Sequence, residues 1–349
     1  MLRELKQLLN IIIFSSMIIV SLSLPTQAQN KYAVILIYHK FDNPKYPSTS
    51  IPIKDFEAQM RYLKENNYNV VSLDKIIDYI KNGYIPPKTV SITIDDGYKS
   101  TMKAFKILKK YNFPFTLFLY MEAIGRYPDF LSYNQINQLK KYRKITFGNH
   151  SYTHFHFPKV KKGFDKNQFI EKFREDTLKA EKSFIKIIGY KPKYYAYPYG
   201  EYNELMVKVL KDLGYKAAFT QDPSSVYTKN NLYIIPRQPI VGHWGTLKHF
   251  KKILNIEPLP VIDSKPSFGN LKKNPPDKIM AKIKNLQDYK NCGIYISELG
   301  WIKAKRNKDT IYVENIPKLK RWKNRIGFTC FDKKTKKSAS FFYMVINPQ

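Results

Sequence analysis

From Lys31 onward, short unbroken apolar runs alternate with stretches in which apolar residues recur every third or fourth position. The runs Ala33–Tyr38 (AVILIY), Asn69–Leu73, Val90–Ile94 (VSITI), Phe115–Tyr120 (FTLFLY), Ile145–Gly148, Tyr194–Tyr197, Ala217–Thr220 and Tyr233–Ile235 predict strands. Several do not alternate with polar residues, the pattern of strands covered on both faces. Between them, Phe56, Met60 and Leu63 share a helical face, as do Ile76, Ile77 and Ile80, then Ala104, Ile107 and Leu108, then Phe169, Phe173, Leu178 and Phe184, and finally Leu205, Val209 and Leu213. This repeated strand and helix order predicts an α/β fold with a parallel sheet. Roughly eight strand candidates, none opening a helix through a GxGxxG turn, favour a (β/α) barrel over an open dinucleotide-binding sheet.

Near Ile262 the texture changes. Pro258, Pro260, Pro266 and Pro275-Pro276 mark a linker, and the β-like runs Gly293–Ser297, Thr310–Val313, Arg325–Phe331 and Ser340–Ile346 follow. Residues 263–349 hold 20 Lys and Arg against 7 Asp and Glu, a denser positive charge than the chain average. They read as a small basic β-rich module whose charge suits an anionic envelope polymer, an anionic lipid surface, or no particular partner. Both cysteines, Cys292 and Cys330, fall in it; a disulfide and a pair of free core thiols are both open readings.

The first thirty residues differ again. Arg3 and Lys6 precede an apolar run from Leu8 to Leu24 that breaks at Pro25 into Thr26-Gln27-Ala28. This is the layout of a secretory signal cleaved after Ala28, with an uncleaved membrane anchor as the competing reading. Either places the rest of the chain outside the cytoplasm, in the periplasm, the cell envelope or the extracellular space. The expected domains are thus 1–28, signal peptide; 29–262, barrel; and 263–349, basic module.

Composition narrows the functional classes. The chain of 349 residues carries a formal charge of +32, and 43% hydrophobic residues exclude a disordered chain. Two cysteines exclude a disulfide-dense scaffold and a zinc finger. Lys, Asn, Ile and Tyr are abundant everywhere and no nucleic-acid-binding motif is visible, so the charge reads as compositional bias and no nucleic-acid partner is expected.

Chemistry concentrates after the predicted strands. Asp95 and Asp96 follow Ser91-Ile92-Thr93-Ile94, and adjacent carboxylates at the carboxyl end of a buried strand are costly unless partnered. An N-cap and a turn would explain one Asp and Gly97, but the second less well. Gly148-Asn149-His150 also ends a strand, and His150 and His154, four apart, can reach one metal ion on the same helical turn with an acidic residue as third ligand. His156 is a spare for His154.

These residues carry a resemblance. Asp95-Asp96-Gly97 within TIDDG, His150-Ser151-Tyr152-Thr153-His154, and Ala196-Tyr197-Pro198-Tyr199-Gly200 occur together in an order that resembles the polysaccharide deacetylase family, also called the NodB-homology domain or carbohydrate esterase family four, over about residues 31–255. The resemblance implies a distorted (β/α) barrel that hydrolyses N-acetyl groups on a polysaccharide with a divalent metal. By position, Asp96, His150 and His154 would hold the metal, with zinc, cobalt or nickel suiting these ligand types. Asp95 would be the general base, and the Tyr199 backbone N–H would stabilise the oxyanion.

Two departures from the common pattern matter. Tyr195-Ala196-Tyr197 stands where an Arg usually precedes the Pro-Tyr pair, and Leu247-Lys248-His249 matches the late acid segment only loosely. Both resemble a permuted subgroup, similar to bacterial biofilm poly-β-1,6-N-acetylglucosamine deacetylases. In that subgroup the early strand ends as Tyr38-His39-Lys40-Phe41 does, which implies His39 as general acid, and Ile235-Pro236-Arg237-Gln238 implies Arg237 as the residue orienting Asp95. His243 and His249 are the alternative acids, and a surface ion pair is the plain alternative for Arg237. Tyr98, Tyr120, Tyr152, Tyr197 and Tyr199 are expected to line an open mouth and stack on sugar rings. The substrate read from this subgroup is poly-β-1,6-N-acetylglucosamine, with peptidoglycan, chitin-like oligomers or acetylated xylan as alternatives. A noncatalytic polysaccharide-binding envelope protein is the alternative from another class, and the complete set of Asp95, Asp96, His150 and His154 argues against it.

Overall fold

Six of the apolar runs form parallel strands in a computed structural model that describes residues 32–348. In chain order they are Tyr32–Tyr38, Thr89–Ile94, Phe115–Leu119, Ile145–Asn149, Tyr194–Ala196 and Ala217–Phe219, each paired in parallel with the next. Every residue of the first three is buried. That is why they read as unbroken apolar runs: helices cover one face and the barrel interior fills the other. The expected signal peptide lies outside the described residues. Among the described residues no helix is long and apolar enough to cross a membrane.

The sheet curls toward closure through a segment that the sequence pattern misassigns. Tyr233–Ile235 is not a strand; only Ile235 bridges Phe219, and the pairing then moves to Gln238–Pro239, which runs parallel to Leu36 and Ile37 of the first strand. The proline on either side of Arg237 explains the short pairing, because proline offers no ladder donor. The second expected strand, Asn69–Leu73, is likewise reduced to Asn69–Val70, since Ser72 caps a helix beginning at Leu73.

Most helical faces fall as the periodicity predicts; on Glu204–Asp212, however, Met206, Val207, Val209 and Leu210 are buried while Leu205 and the capping Leu213 are only half-buried. Phe56, Met60 and Leu63 are buried on the helix Ile53–Glu65, and Phe169, Phe173 and Phe184 on Lys166–Ile188, but Leu178 is exposed. Its neighbours Thr177, Ala180 and Glu181 face inward instead. Asp165 caps this long helix and Gly189 ends it with φ 101°, a left-handed conformation natural to glycine.

Beyond the barrel, two sheets, one mixed and one antiparallel, account for the predicted β-rich module. One is built around Tyr289–Ile296, Lys323–Asp332 and Ser338–Ile346, the other around Val261–Lys265, Lys278–Ile283 and Thr310–Glu314. The proline-rich stretch is not a free linker: Glu257–Pro258 pairs with Ala339 and Ser340, and Val261–Lys265 pairs with Lys278–Ile283. Cys292 and Cys330 form a disulfide beside the register shift between their two strands. The module also shares a core with the barrel, because Met344 and Ile346 pack in one apolar cluster with Tyr195, Tyr197 and Tyr202. Polar ties join them too: the Arg325 guanidinium donates to Asp222 Oδ1 at 3.0 Å, and Met344 N–H donates to the Tyr202 hydroxyl at 3.2 Å.

Candidate active site

The strand register gathers the motif residues at one edge. Tyr38 pairs with Ile94, so His39 and Asp95, each the next residue, leave the sheet side by side, and Asp95 N–H donates to the Tyr38 carbonyl at 2.9 Å. His150 follows the fourth strand and Pro198–Gly200 the fifth. All thus lie at the carboxyl ends of parallel strands, where barrel folds place their chemistry.

Asp96, His150 and His154 converge. His150 Nε2 lies 3.1 Å and His154 Nε2 3.3 Å from Asp96 Oδ1, and the two imidazole nitrogens are 3.2 Å apart. The other His150 nitrogen, Nδ1, lies 2.8 Å from the Ala196 carbonyl, to which it donates. In the neutral ring Nε2 is therefore a lone pair aimed at a carboxylate, which repels unless a cation or a proton lies between them. Asp96 Oδ1 is fully buried and receives no hydrogen bond. Three electron-rich atoms meeting in a buried space, one orphaned, fit a divalent cation. Burial alone would raise the Asp96 carboxyl, but the two imidazoles outweigh it and hold it well below its usual range. At His150 burial acts downward, and the carboxylates of Asp95 and Asp96 overcome it to raise the imidazole.

The backbone is forced at this place. Asp96 (φ 72°), Ser151 (φ 67°), His154 (φ 53°) and Tyr199 (φ 57°) all occupy the left-handed region that non-glycine residues avoid. Such residues persist only where surroundings over-determine them, and their clustering here marks a built site. Gly97, next to Asp96 in the chain, has φ 81°, and a Cβ there would come within 2.9 Å of Ile124 and Leu119 side-chain atoms.

Asp95 lies under the trio and is paired elsewhere. Arg237 donates to both its oxygens, Nη1 to Oδ1 at 2.7 Å and Nη2 to Oδ2 at 2.8 Å, while its Nε donates to the Thr220 carbonyl at 2.8 Å. Both side chains are wholly buried, so Arg237 is not a surface ion-pair partner. Burial pushes the Asp95 carboxyl up, but Arg237 and then His150 more than offset this and hold it below the ordinary range. Asp95 Oδ2 is 3.9 Å from His150 Nε2, so the anion adjoins the trio without joining it. His39 faces the same space; burial lowers its pKa against the upward pull of Asp96 and Asp95.

Above these groups opens a cavity of about 610 Å³ lined by His39, Asp96, His154, Tyr98, Tyr120 and Tyr199, among others. The expected aromatic lining is corrected at two positions. Tyr197 is fully buried and donates its hydroxyl to the Tyr233 carbonyl at 2.9 Å, packed in the cluster shared with the module. Tyr152 lines a different cavity, beside Met121 and Glu122. His156 is no spare ligand: its ring stacks on Tyr199 with centroids 3.8 Å apart, and its Nδ1 meets Glu201 Oε2 at 2.8 Å. His243 and His249 do not line the cavity; His249 stacks on Trp244.

Two supporting residues had no sequence signal. Asp176, on the helix Lys166–Ile188, accepts from Tyr152 N–H at 3.0 Å, Thr153 N–H at 2.9 Å and the Thr153 hydroxyl at 2.7 Å, which fixes the loop between His150 and His154. Asp176→Ala is expected to weaken metal retention by roughly 10- to 100-fold, the range for groups that hold ligands in place. Titration with zinc would check it, and unchanged affinity would show that the loop holds itself. Glu201 is the other: buried, it accepts from Lys323 of the module, and Lys323 also lines the cavity.

Comparison with known proteins points to the same family as the motifs. Residues 82–218 match the polysaccharide deacetylase family. The poly-β-1,6-N-acetyl-D-glucosamine N-deacetylase of Staphylococcus aureus (strain MRSA252) is 28% identical over 206 residues, 58% of this chain and 71% of that protein. Among solved structures, IcaB from Ammonifex degensii aligns with a TM-score of 0.54 and 24% identity over 65% of this chain and 97% of that one. A polysaccharide deacetylase from Bacillus cereus aligns at 0.55 and 22% over 64% and 69%. With the three motifs brought to one barrel edge, residues 82–218, which span the first two of them and Ala196–Gly200, are similar to the polysaccharide deacetylase family.

Proposed function

We propose that this chain is an exported, metal-dependent enzyme that removes N-acetyl groups from a polymer of β-1,6-linked N-acetylglucosamine. The observation that carries the reading is the meeting of Asp96, His150 and His154 directly above the buried Asp95–Arg237 pair. The Staphylococcus aureus relative bears the name of a deacetylase of that polymer, which supports the linkage. The Cys292–Cys330 disulfide supports export, since such bonds persist in oxidising compartments.

Asp96, His150 and His154 would hold the cation, which when bound polarises the acetyl carbonyl and makes a water more acidic. The chain's own groups do the rest. Asp95, anionic and fixed by Arg237, takes the proton as the water oxygen attacks the carbonyl carbon. The Tyr199 N–H, on its strained turn, donates to the oxygen that gains charge. His39 delivers a proton to the nitrogen as the C–N bond breaks, releasing acetate and leaving a free amine on the sugar. Burial keeps this imidazole toward its neutral form, and the two neighbouring carboxylates favour the protonated form that the step requires.

The test is acetate release from a β-1,6-N-acetylglucosamine oligomer by the mature chain, before and after chelation. Release should stop on chelation and return with zinc, and the melting temperature should fall on chelation because a bound ion stabilises only the folded state, by about 2.7 kcal/mol at a hundredfold excess over Kd. Undiminished release from metal-free protein would overturn the metal assignment. Release from chitin-like oligomers alone would overturn the linkage.

A further inference from the structure

Two of the three tryptophans in the chain are exposed, Trp244 by 41% and Trp301 by 58%, although one sits on the barrel and the other on the β-rich module. They line the same groove, of about 330 Å³, together with His249, Ile253 and Phe342. Large aromatic surfaces left in water cost free energy, and two of them converging on one groove from separate parts of a chain mark a recognition surface.

The groove adjoins the catalytic cavity. Pro239 lines both. The turn Gly242–Gly245 that carries Trp244 also abuts the cavity wall: a Cβ on Gly242 would meet the Pro47 carbonyl at 3.0 Å and Ser48 Cα at 3.5 Å, and Ser48 lines the cavity. Both platforms are held still. The buried Gln59 donates to the Gly245 carbonyl at 2.6 Å and accepts from the Tyr38 hydroxyl at 2.8 Å, tying the Trp244 turn to the first barrel strand. Trp301 packs against Tyr295 and Phe342, with centroids 5.2 and 6.4 Å away.

From this we propose that the Trp244–Trp301 groove is a distal glycan subsite that holds pyranose rings of the polymer beyond the one being deacetylated. A pyranose presents apolar C–H faces and a polar equatorial rim. Aromatic faces with a partial negative charge suit the C–H faces, while the His249 ring and the Ser338 and Ser340 hydroxyls that line the groove suit the rim. A polymer whose reacting sugar sits over Asp96 can run past Pro239 into this groove without leaving the surface. The inference rests on the polysaccharide reading of the catalytic cavity and adds a second place of contact, half of it supplied by the β-rich module.

The test uses the full mature chain and β-1,6-N-acetylglucosamine oligomers, one a disaccharide and one long. For Trp244→Ala with Trp301→Ala, KM for the long oligomer should rise about tenfold with kcat unchanged, the sign of lost binding that is equal in ground and transition states, and turnover of the disaccharide should not change. The long oligomer should also quench tryptophan fluorescence of the Asp95→Asn protein, and the quench should vanish when both tryptophans are replaced. Equal loss on both lengths, or wild-type KM on the long one, overturns the subsite. Quenching by anionic phospholipid vesicles and not by the oligomer assigns the groove to a membrane surface and also overturns it. No release at any length from wild type, with quenching intact, fails the catalytic reading and leaves the subsite standing.

Discussion

Asp95→Asn should lower acetate release by about two to four orders of magnitude, the span that a positioned general base contributes. The substitution preserves size and one acceptor oxygen for Arg237, and it leaves Asp96, His150 and His154 in place. Zinc content should therefore match the wild type while turnover collapses. Near wild-type turnover would remove Asp95 from the proton-transfer role. Loss of zinc together with activity would show that Asp95 belongs to the cation site itself, across its 3.9 Å separation from His150 Nε2.

Arg237→Met should unfold the protein at much lower temperature. Removing one member of a fully buried pair leaves an uncompensated charge, at a cost of about 3–5 kcal/mol. At the usual entropy of unfolding for a large domain, that is a fall in Tm of roughly 10 °C. The cause can be separated from loss of packing by adding Asp95→Leu. The double variant removes both charges of the pair and should regain much of the lost stability, while remaining without activity. A double variant no more stable than Arg237→Met would show that the guanidinium matters for its bonds to Thr220 and Thr93 instead.

The residues gathered at the candidate site were legible in the sequence because a parallel sheet sends every strand's carboxyl end to the same edge. TIDDG, His150 with His154 and Tyr38-His39 each follow an apolar run that forms a strand, so locating the runs located these groups. What escaped has long sequence separation and no local mark. Asp176 reaches the His150–His154 loop from the middle of a helix, where a single Asp reads as a solvated position. Glu201 and Lys323 are 122 residues apart and look like two ordinary surface charges. The aromatic run Tyr194–Tyr197 predicted a strand correctly, but its pattern could not tell a tyrosine that lines a cleft from one, Tyr197, that lies under Met344 and Ile346 of a later sheet. Tyr233–Ile235 failed for the opposite reason: the residues suit a strand, and the following prolines allow only a bridge.

The core shared with the strand Ser338–Ile346 sets an order of events during synthesis. A ribosome delivers the barrel segments first, yet the aromatic cluster around Tyr197 and Tyr202 waits for partners that lie more than 100 residues downstream. Until they arrive, that apolar face stays open to wrong pairings, and such exposed intermediates are prone to aggregate. A nascent chain stalled before residue 338 would hold all seven proposed catalytic and metal-binding residues and still lack the strand that covers their support. The support beneath the site is therefore complete only once the strand Ser338–Ile346 has docked.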